Sequence, residues 1–193
     1  YWLMMLDSCM CEPVHETGGK LSEETVAWMK TQLEEAKKQG VTVIPVSHHN
    51  LLDESTLYPE ECTIENTKEV TALLEAYGVP VYLSGHLHLQ RIKKHTSNLN
   101  TPGGYGIREI VTSPLPMAPC QYSILNWQGG GSLSYHTKKV DIAGWAQRYG
   151  EEDENLLNFD AYADQFLVDV ISEQAFKALQ SASKDIKEEM ARL

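Results

Sequence analysis

Short apolar runs alternate with helical patterns in the first half of the sequence. The runs at 1–7, 41–46 and 79–83 predict buried strands, because each is short and apolar. Between them, apolar residues recur every three or four positions at 22–39 and 66–77, which predicts two helices. The order strand, helix, strand, helix, strand predicts a parallel α/β sheet with crossover helices.

Capping residues mark the ends of both predicted helices. Ser22 is a good N-cap, and the acidic residues Glu23 and Glu24 follow it in the first turn. Gly40 provides a C-terminal stop for the first helix, and Gly78 does so for the second. We therefore expect both helices to end where the next strand is about to begin.

The pattern changes after the third strand. Polar residues at 91–106 predict a loop, and 107–112, 121–127 and 131–137 predict three further strands. The last two flank the sequence Gln-Gly-Gly at 128–130, which is a hairpin signal. We expect these strands to complete the sheet as its antiparallel members.

The last part of the sequence predicts helices. Asp141 is a good N-cap for a short helix, and 150–155 is an acidic linker. Helical spacing then continues to the end, so we divide the chain into a domain at 1–149 and a helical appendage at 150–193. Because about 40 residues make a poor core alone, we expect the appendage to belong to a larger helical domain.

Charge limits the classes of partner. The net charge is −11, whereas duplex nucleic acid requires clustered Lys and Arg, so we expect no such partner. A small phosphate ester remains compatible if metal cations supply local positive charge. No run of about 18 apolar residues exists, so no transmembrane segment is predicted.

The cysteines and the first residues leave the compartment unassigned. Cys9, Cys11, Cys62 and Cys120 match no zinc or thioredoxin spacing, so buried free thiols are the default and one disulfide stays open. The apolar opening at 1–6 lacks a basic region and a cleavage site, which favours a core strand over a signal peptide. We therefore expect further chain upstream.

Three histidines carry the strongest functional signal. His48 follows the strand at 41–46, and His86 and His88 follow the strand at 79–83. Ligands of α/β sheets bind beyond the carboxyl ends of the strands. In an extended chain His86 and His88 would point to one side, and Gly85 would let the backbone turn tightly. Neutral imidazole suits Zn, Fe, Mn or Ni, so we predict that these three histidines bind metal.

Two segments carry a family resemblance. Residues 46–50, Val-Ser-His-His-Asn, and 84–88, Ser-Gly-His-Leu-His, resemble the last two metal motifs of the calcineurin-like metallophosphoesterases. Those motifs are a strand ending in one or two histidines before a proline, and Gly-His-x-His. The segments 6–8 and 106–113 are similar to the bacterial cyclic-nucleotide-phosphodiesterase branch. The resemblance covers about residues 1–148.

The resemblance implies a fold and a reaction. The fold would be half of an αββα sandwich, a mixed sheet with flanking helices, followed by the helical appendage. The reaction would be hydrolysis of small phosphate esters, phosphodiesters or cyclic nucleotides, by metal-bound hydroxide. Two ions of Fe, Mn or Zn would bind, with His48 and His86 on one and His88 on the other. His49 would lie beside them as a catalytic residue that contacts substrate.

The sequence also departs from the family pattern. The motifs Asp-x-His, Gly-Asp-x-x-Asp and Gly-Asn-His-Asp/Glu are absent, and they would supply a bridging Asp, an Asn and a catalytic His. Asn50 also replaces the usual proline. The resemblance thus implies a partner, the preceding half of the same domain. Without it we expect at most one weakly bound metal and no meaningful turnover.

Two alternatives remain open. The sequence His86-x-His88-x-Gln90 also resembles nucleotidyl transferases related to the histidine-triad proteins, in which a histidine attacks phosphorus directly. That interpretation leaves Gly85 and the histidine pair at 48–49 unexplained. The other alternative is a non-catalytic binding module that kept the sheet. We expect the remaining histidines to be ordinary polar side chains: His15, His95 and His136.

Overall fold

The computed structural model describes residues 1–11, 14, 16–53, 60–95, 106–128 and 132–190, with backbone alone for 60 and 185–190. They divide into two compact units, Tyr1–Pro114 and Leu115–Leu193. Each unit is described by itself. The predicted domain boundary at 149 differs from this division and stays a prediction.

The first unit is built on a five-stranded sheet. The elements of this unit in chain order are β1 (Trp2–Met5), α1 (Glu23–Gln39), β2 (Val43–Val46), a 3₁₀ turn (Glu60–Cys62), α2 (Thr67–Ala76), β3 (Val81–Ser84), β4 (Arg91–Lys94) and β5 (Arg108–Val111). The strands lie in the sheet in the order β1-β2-β3-β5-β4, in which β1, β2, β3 and β5 run parallel and β4 is antiparallel to β5. The predicted α/β class with a parallel-rich mixed sheet is therefore confirmed.

The prediction of which strands run antiparallel in this sheet is wrong. The antiparallel member of this sheet is β4, which lies in the predicted polar loop at 91–106, whereas the strands Gln121–Trp127 and Leu133–Lys139 belong to the second unit. The reason is that β4 reads Arg-Ile-Lys-Lys, with Ile92 as its one apolar side chain, paired with Ile110. Charged side chains are usual on edge strands, and they hide the strand from a hydrophobicity pattern.

The predicted caps fix the first helix. The Ser22 hydroxyl accepts a hydrogen bond from the Thr25 N–H at 3.1 Å, and Gly40 ends α1 in the left-handed conformation at φ 66°. At α2, Asn66 precedes the helix without capping it through its side chain. Its amide instead binds both backbone groups of Leu21, at 3.1 and 2.9 Å. Asn66 thus ties the start of α2 to the segment before α1.

One hydrophobic cluster joins both helices to the strands. It buries the predicted stripe of α1 and that of α2 against β1, β2 and β3. Because the helices hold the strands from one side, the carboxyl ends of β2 and β3 keep a fixed relation to each other. The cluster includes Met4, Leu6, Met29, Leu33, Ala36, Val43, Val70, Leu74, Val79, Tyr82 and Ile107.

The second unit combines a hairpin with helices. The strands β6 (Gln121–Trp127) and β7 (Leu133–Lys139) pair antiparallel, and α3 (Ile142–Tyr149), α4 (Glu154–Leu157) and α5 (Phe159–Met190) follow. The Asp141 side chain caps α3 by accepting from the Gly144 N–H at 2.9 Å. The predicted helical tail is confirmed. None of the helices in the described residues has the length and apolar character that a membrane crossing requires.

Deleting a core side chain of α1 tests this packing. Met29 is fully buried, whereas its neighbour Lys30 is exposed. We expect Met29→Ala to lower the free energy of unfolding by about 2–5 kcal/mol, because it leaves a cavity between helix and sheet. Lys30→Ala should change it by less than about 0.5 kcal/mol. Urea denaturation followed by circular dichroism measures both, and equal midpoints for the two variants would contradict the packing.

Candidate functional site

The two histidine-bearing segments lie side by side. Val46 at the end of β2 pairs with Leu83 of β3, and the pairing continues past the strand ends. The Ser47 N–H donates to the Leu83 carbonyl at 3.1 Å, and the Gly85 N–H donates to the His48 carbonyl at 3.0 Å. The segments after β2 and β3 therefore meet at one edge of the sheet, as the parallel order predicts.

Two imidazoles converge at this edge. His48 Nε2 and His86 Nδ1 are 2.9 Å apart, and the two rings are 4.8 Å apart between centroids. Burial lowers the pKa of both imidazoles, and the neighbouring His49 and His88 rings lower each pKa further. The neutral form, which is the form that binds metal, is therefore favoured at both residues.

The backbone of the second segment is not extended. His86 and His88 have φ angles of 61° and 56°, in the left-handed region that side chains other than glycine seldom adopt. The expected extended geometry of these two residues is therefore wrong. Gly85 is not left-handed, and a Cβ there would meet its nearest neighbour, the His48 carbonyl, at an ordinary 3.8 Å. The strain lies in the histidines themselves, at roughly 1–3 kcal/mol each.

The donor atoms fit part of a metal site. Two nitrogen ligands about 2.1 Å from one tetrahedral ion stand about 3.4 Å apart, so the His48–His86 pair needs only a small opening. Within the described ranges, however, no group of three or more His, Cys, Asp or Glu side chains is arranged to hold a metal. The described residues thus supply a pair of nitrogens and not a complete site. Metal binding by His48, His86 and His88 stays a prediction.

His49 is held from both sides of its ring. The side chain is 3% exposed, its Nδ1 lies 2.9 Å from the Ser8 hydroxyl, and its Nε2 lies 3.1 Å from the Thr17 carbonyl. A carbonyl can only accept, so Nε2 donates to Thr17 and Nδ1 accepts from Ser8. The ring packs 4.6 Å from that of His86 and 5.1 Å from that of His48. This geometry favours a positioning role, and the predicted substrate contact remains a prediction.

A buried carboxylate that the sequence does not single out lies next to these segments. Glu109 of β5 is 0% exposed, and it accepts hydrogen bonds from the backbone N–H groups of Leu51 and Leu52 at 2.7 Å each. It also accepts from the Ser84 hydroxyl at 2.6 Å. The sequence gives one indication of this carboxylate, an acidic residue within the strand-like run Ile-Arg-Glu-Ile-Val. Strands of a parallel sheet are usually covered on both faces, so an acidic side chain there is expected to be buried.

Asn50, in the segment after β2, is hydrogen-bonded to the end of β3 and the residue that follows it. Its side chain is fully buried, and its Nδ2 donates to the Ser84 hydroxyl at 2.8 Å and to the Gly85 carbonyl at 3.3 Å. The family resemblance leads to a proline at this position, which lacks these donors. Asn50 therefore supplies a cross-connection between the two segments that a proline would not make.

The remaining candidate polar residues make ordinary polar contacts or lie at the surface of their own unit. Asp7 accepts from the Cys9 N–H at 3.0 Å, which is the turn role that its position favours. His95 lies 3.4 Å from Glu75, and His136 is exposed on β7. His15 lies outside the described residues. The four cysteines are free thiols.

The fold is that of a mixed α/β protein. The His48–His86 pair marks a candidate ligand site at the carboxyl ends of its parallel strands. Residues 141–193 match the family described as the C-terminal domain of cyclic nucleotide phosphodiesterase. That match lies in the second unit and does not include the three histidines.

Part of the chain is similar to solved structures. One of them is a dimetal phosphatase from Danio rerio, with 18% identity and a TM-score of 0.39 over 49% of this chain. The similar region spans 27% of that protein, and a likeness at this level carries no inference about the reaction. A search among curated proteins found no match to this chain.

The space for His49 depends on a glycine. A Cβ at Gly19 would overlap the His49 ring, whereas a Cβ at Gly18 would lie at ordinary distances of 3.4 Å from Met10 Cε and 4.0 Å from Glu61 Cβ. We expect Gly19→Ala to lower the free energy of unfolding by about 1–3 kcal/mol, because the ring must move out of its hydrogen bonds. Gly18→Ala serves as the matched control in the same urea titration. Equal effects of the two variants would show that His49 is not confined as described.

Proposed function

We propose that the complete protein is a metal-dependent hydrolase of phosphate esters, acting on phosphodiesters of the cyclic-nucleotide type. The observation that carries the proposal is the convergence of His48 and His86 at the ends of two parallel strands, with His88 beside them. The order and spacing of the two histidine motifs support the class of reaction. The family match over 141–193, described as part of a cyclic nucleotide phosphodiesterase, supports the class of substrate.

The chain would provide one wall of the active site. His48 and His86 would hold one ion, and His88 would reach a second, with the preceding half of the domain supplying the other ligands. Bound there, ions such as Fe, Mn or Zn would supply Lewis acidity and lower the pKa of a water. Such cations would also offset the repulsion between a phosphate ester and a chain whose net charge is −11.

The site residues have separate tasks in this proposal. His48 and His86 bind as neutral imidazoles, which their lowered pKa values favour. His49 keeps both ring nitrogens in hydrogen bonds and backs the pair through its packed ring. A buried ring behind the ligands resists their rotation, which preserves the direction of the nitrogen lone pairs.

The histidine-nucleophile alternative is not favoured by this geometry. It needs the segment His86-x-His88-x-Gln90 as a strand, but 85–90 lie between β3 and β4, and both histidines are left-handed. The Gln90 side-chain oxygen accepts from the Ser113 N–H at 3.2 Å and lies 3.3 Å from its hydroxyl. Gln90 thus connects the segment to the residues after β5.

Histidine substitutions in the complete protein test the proposal. We expect His48→Ala, His86→Ala and His88→Ala each to reduce hydrolysis of an aryl phosphodiester at least about 100-fold, since direct ligands matter more than their supporting residues. His136→Ala, on the exposed face of β7, is the matched control and should retain activity. A chelator should abolish the activity, and added metal should restore it.

Three outcomes would contradict the proposal. Full activity in His86→Ala or His88→Ala would remove these residues from the site. Activity that survives chelation would favour a histidine nucleophile. Turnover at the native rate by residues 1–193 alone would show that the remaining ligands are assigned to the wrong part of the protein.

A further inference from the structure

A carboxylate buried in a sheet is costly unless it is well bonded. Removing an ionised group from water costs several kcal/mol, and only good hydrogen-bond donors offset that cost. Glu109 is buried completely at the centre of β5, where its backbone pairs with Tyr82 of β3 and Lys93 of β4. Its position is therefore explained by the groups that it contacts.

Those groups belong to the two histidine-bearing segments. The N–H groups of Leu51 and Leu52, in the segment after β2, donate to separate oxygens of Glu109 at 2.7 Å. The Ser84 hydroxyl, at the end of β3, donates to one of these oxygens at 2.6 Å. Leu51 and Leu52 are themselves buried, so water cannot replace the carboxylate as their acceptor.

A second layer of hydrogen bonds extends the connection. The Ser84 hydroxyl donates to Glu109 and accepts from Asn50 Nδ2 at 2.8 Å, while Asn50 Nδ2 also donates to the Gly85 carbonyl at 3.3 Å. The chain Glu109–Ser84–Asn50 therefore crosses from β5 through the end of β3 to the segment after β2. Such a network keeps its geometry because each buried donor in it has a defined acceptor.

The network ends beside the converging imidazoles. His48 precedes Asn50 by two residues, and His86 directly follows Gly85. We infer that Glu109 is a positioning residue that fixes His48 relative to His86 by joining the segments that carry them. Its effect on hydrolysis rests on the proposed function, whereas its effect on the contact between the two rings does not.

A variant pair on β5 separates positioning from general stability. Glu109→Gln keeps the shape of the side chain but turns one acceptor into a donor that faces a backbone N–H. Ile110→Ala is the matched control, because Ile110 is also buried but points to the other face of the strand. Both should lose stability, and only Glu109→Gln should disturb the histidine pair.

The direct readout is the contact between the rings in the complete, metal-free protein. We expect a nuclear Overhauser contact between the ring protons of His48 and His86 in the unsubstituted protein and in Ile110→Ala. We expect it to be lost in Glu109→Gln. The contact persisting in Glu109→Gln, or being absent from the unsubstituted protein, would overturn the inference. If Glu109→Gln does not fold, Ser84→Ala decides, and an unchanged contact there overturns it.

Binding of zinc alone gives a second readout. Competition with a chromogenic chelator should show zinc affinity about 10–100-fold weaker in Glu109→Gln and unchanged in Ile110→Ala, as is typical for loss of a residue that orients ligands. In hydrolysis, kcat should fall in Glu109→Gln with little change in KM.

The two proposals fail in different ways. A lost ring contact in Glu109→Gln, with no phosphodiesterase activity in the unsubstituted protein, would leave the positioning role standing and remove the proposed function. An active enzyme whose Glu109→Gln variant keeps the ring contact, the zinc affinity and the kcat would do the reverse.

Discussion

The candidate site depends on the parallel pairing of β2 with β3. Because both strands end at the same edge of the sheet, residues far apart in sequence meet there, and the bonds Ser47 N–H to Leu83 and Gly85 N–H to His48 carry the pairing beyond the strands. The helices make this pairing durable by burying one hydrophobic cluster against the strands. An antiparallel arrangement of the same strands would place the two segments at opposite edges, so the histidine pair is a consequence of topology.

The site combines strained backbone with buried groups that support it. His86 and His88 adopt left-handed backbone conformations, which persist only where the surroundings determine them. Those surroundings include the Asn50 bond to the Gly85 carbonyl, the carboxylate of Glu109 and the buried ring of His49. Each of these polar groups would destabilise the fold if its partner were lost, because each is shielded from water. The arrangement is thus more readily understood as support for a precise geometry than as a contribution to stability.

The sequence predicts the local part of this structure and not the part that depends on distant contacts. The Ser22 and Gly40 caps, the α2 stripe and the convergence of His48 with His86 follow from periodicity and strand order. The edge strand β4 does not, because its charged residues match a loop equally well. Nor do the bonds of His49 or Glu109, since their partners at Thr17, Leu51 and Leu52 come from segments whose approach only the folded chain defines.

The hydrogen bond between His48 and His86 bears on how a cation would bind there. The 2.9 Å contact places one ring proton between the two nitrogens, so an ion that takes both must displace it. In a neutral imidazole that proton can move to the other ring nitrogen, and no net release is required. Competition with protons then begins only when the rings themselves become charged. Since both pKa values lie below the ordinary 6.5, the pair stays available to a metal at lower pH than exposed histidines would. The same lowered pKa values make the folded state less stable at acidic pH. As the pH falls below 6.5, the unfolded chain binds protons first, so the folded state loses stability until its own imidazoles are protonated.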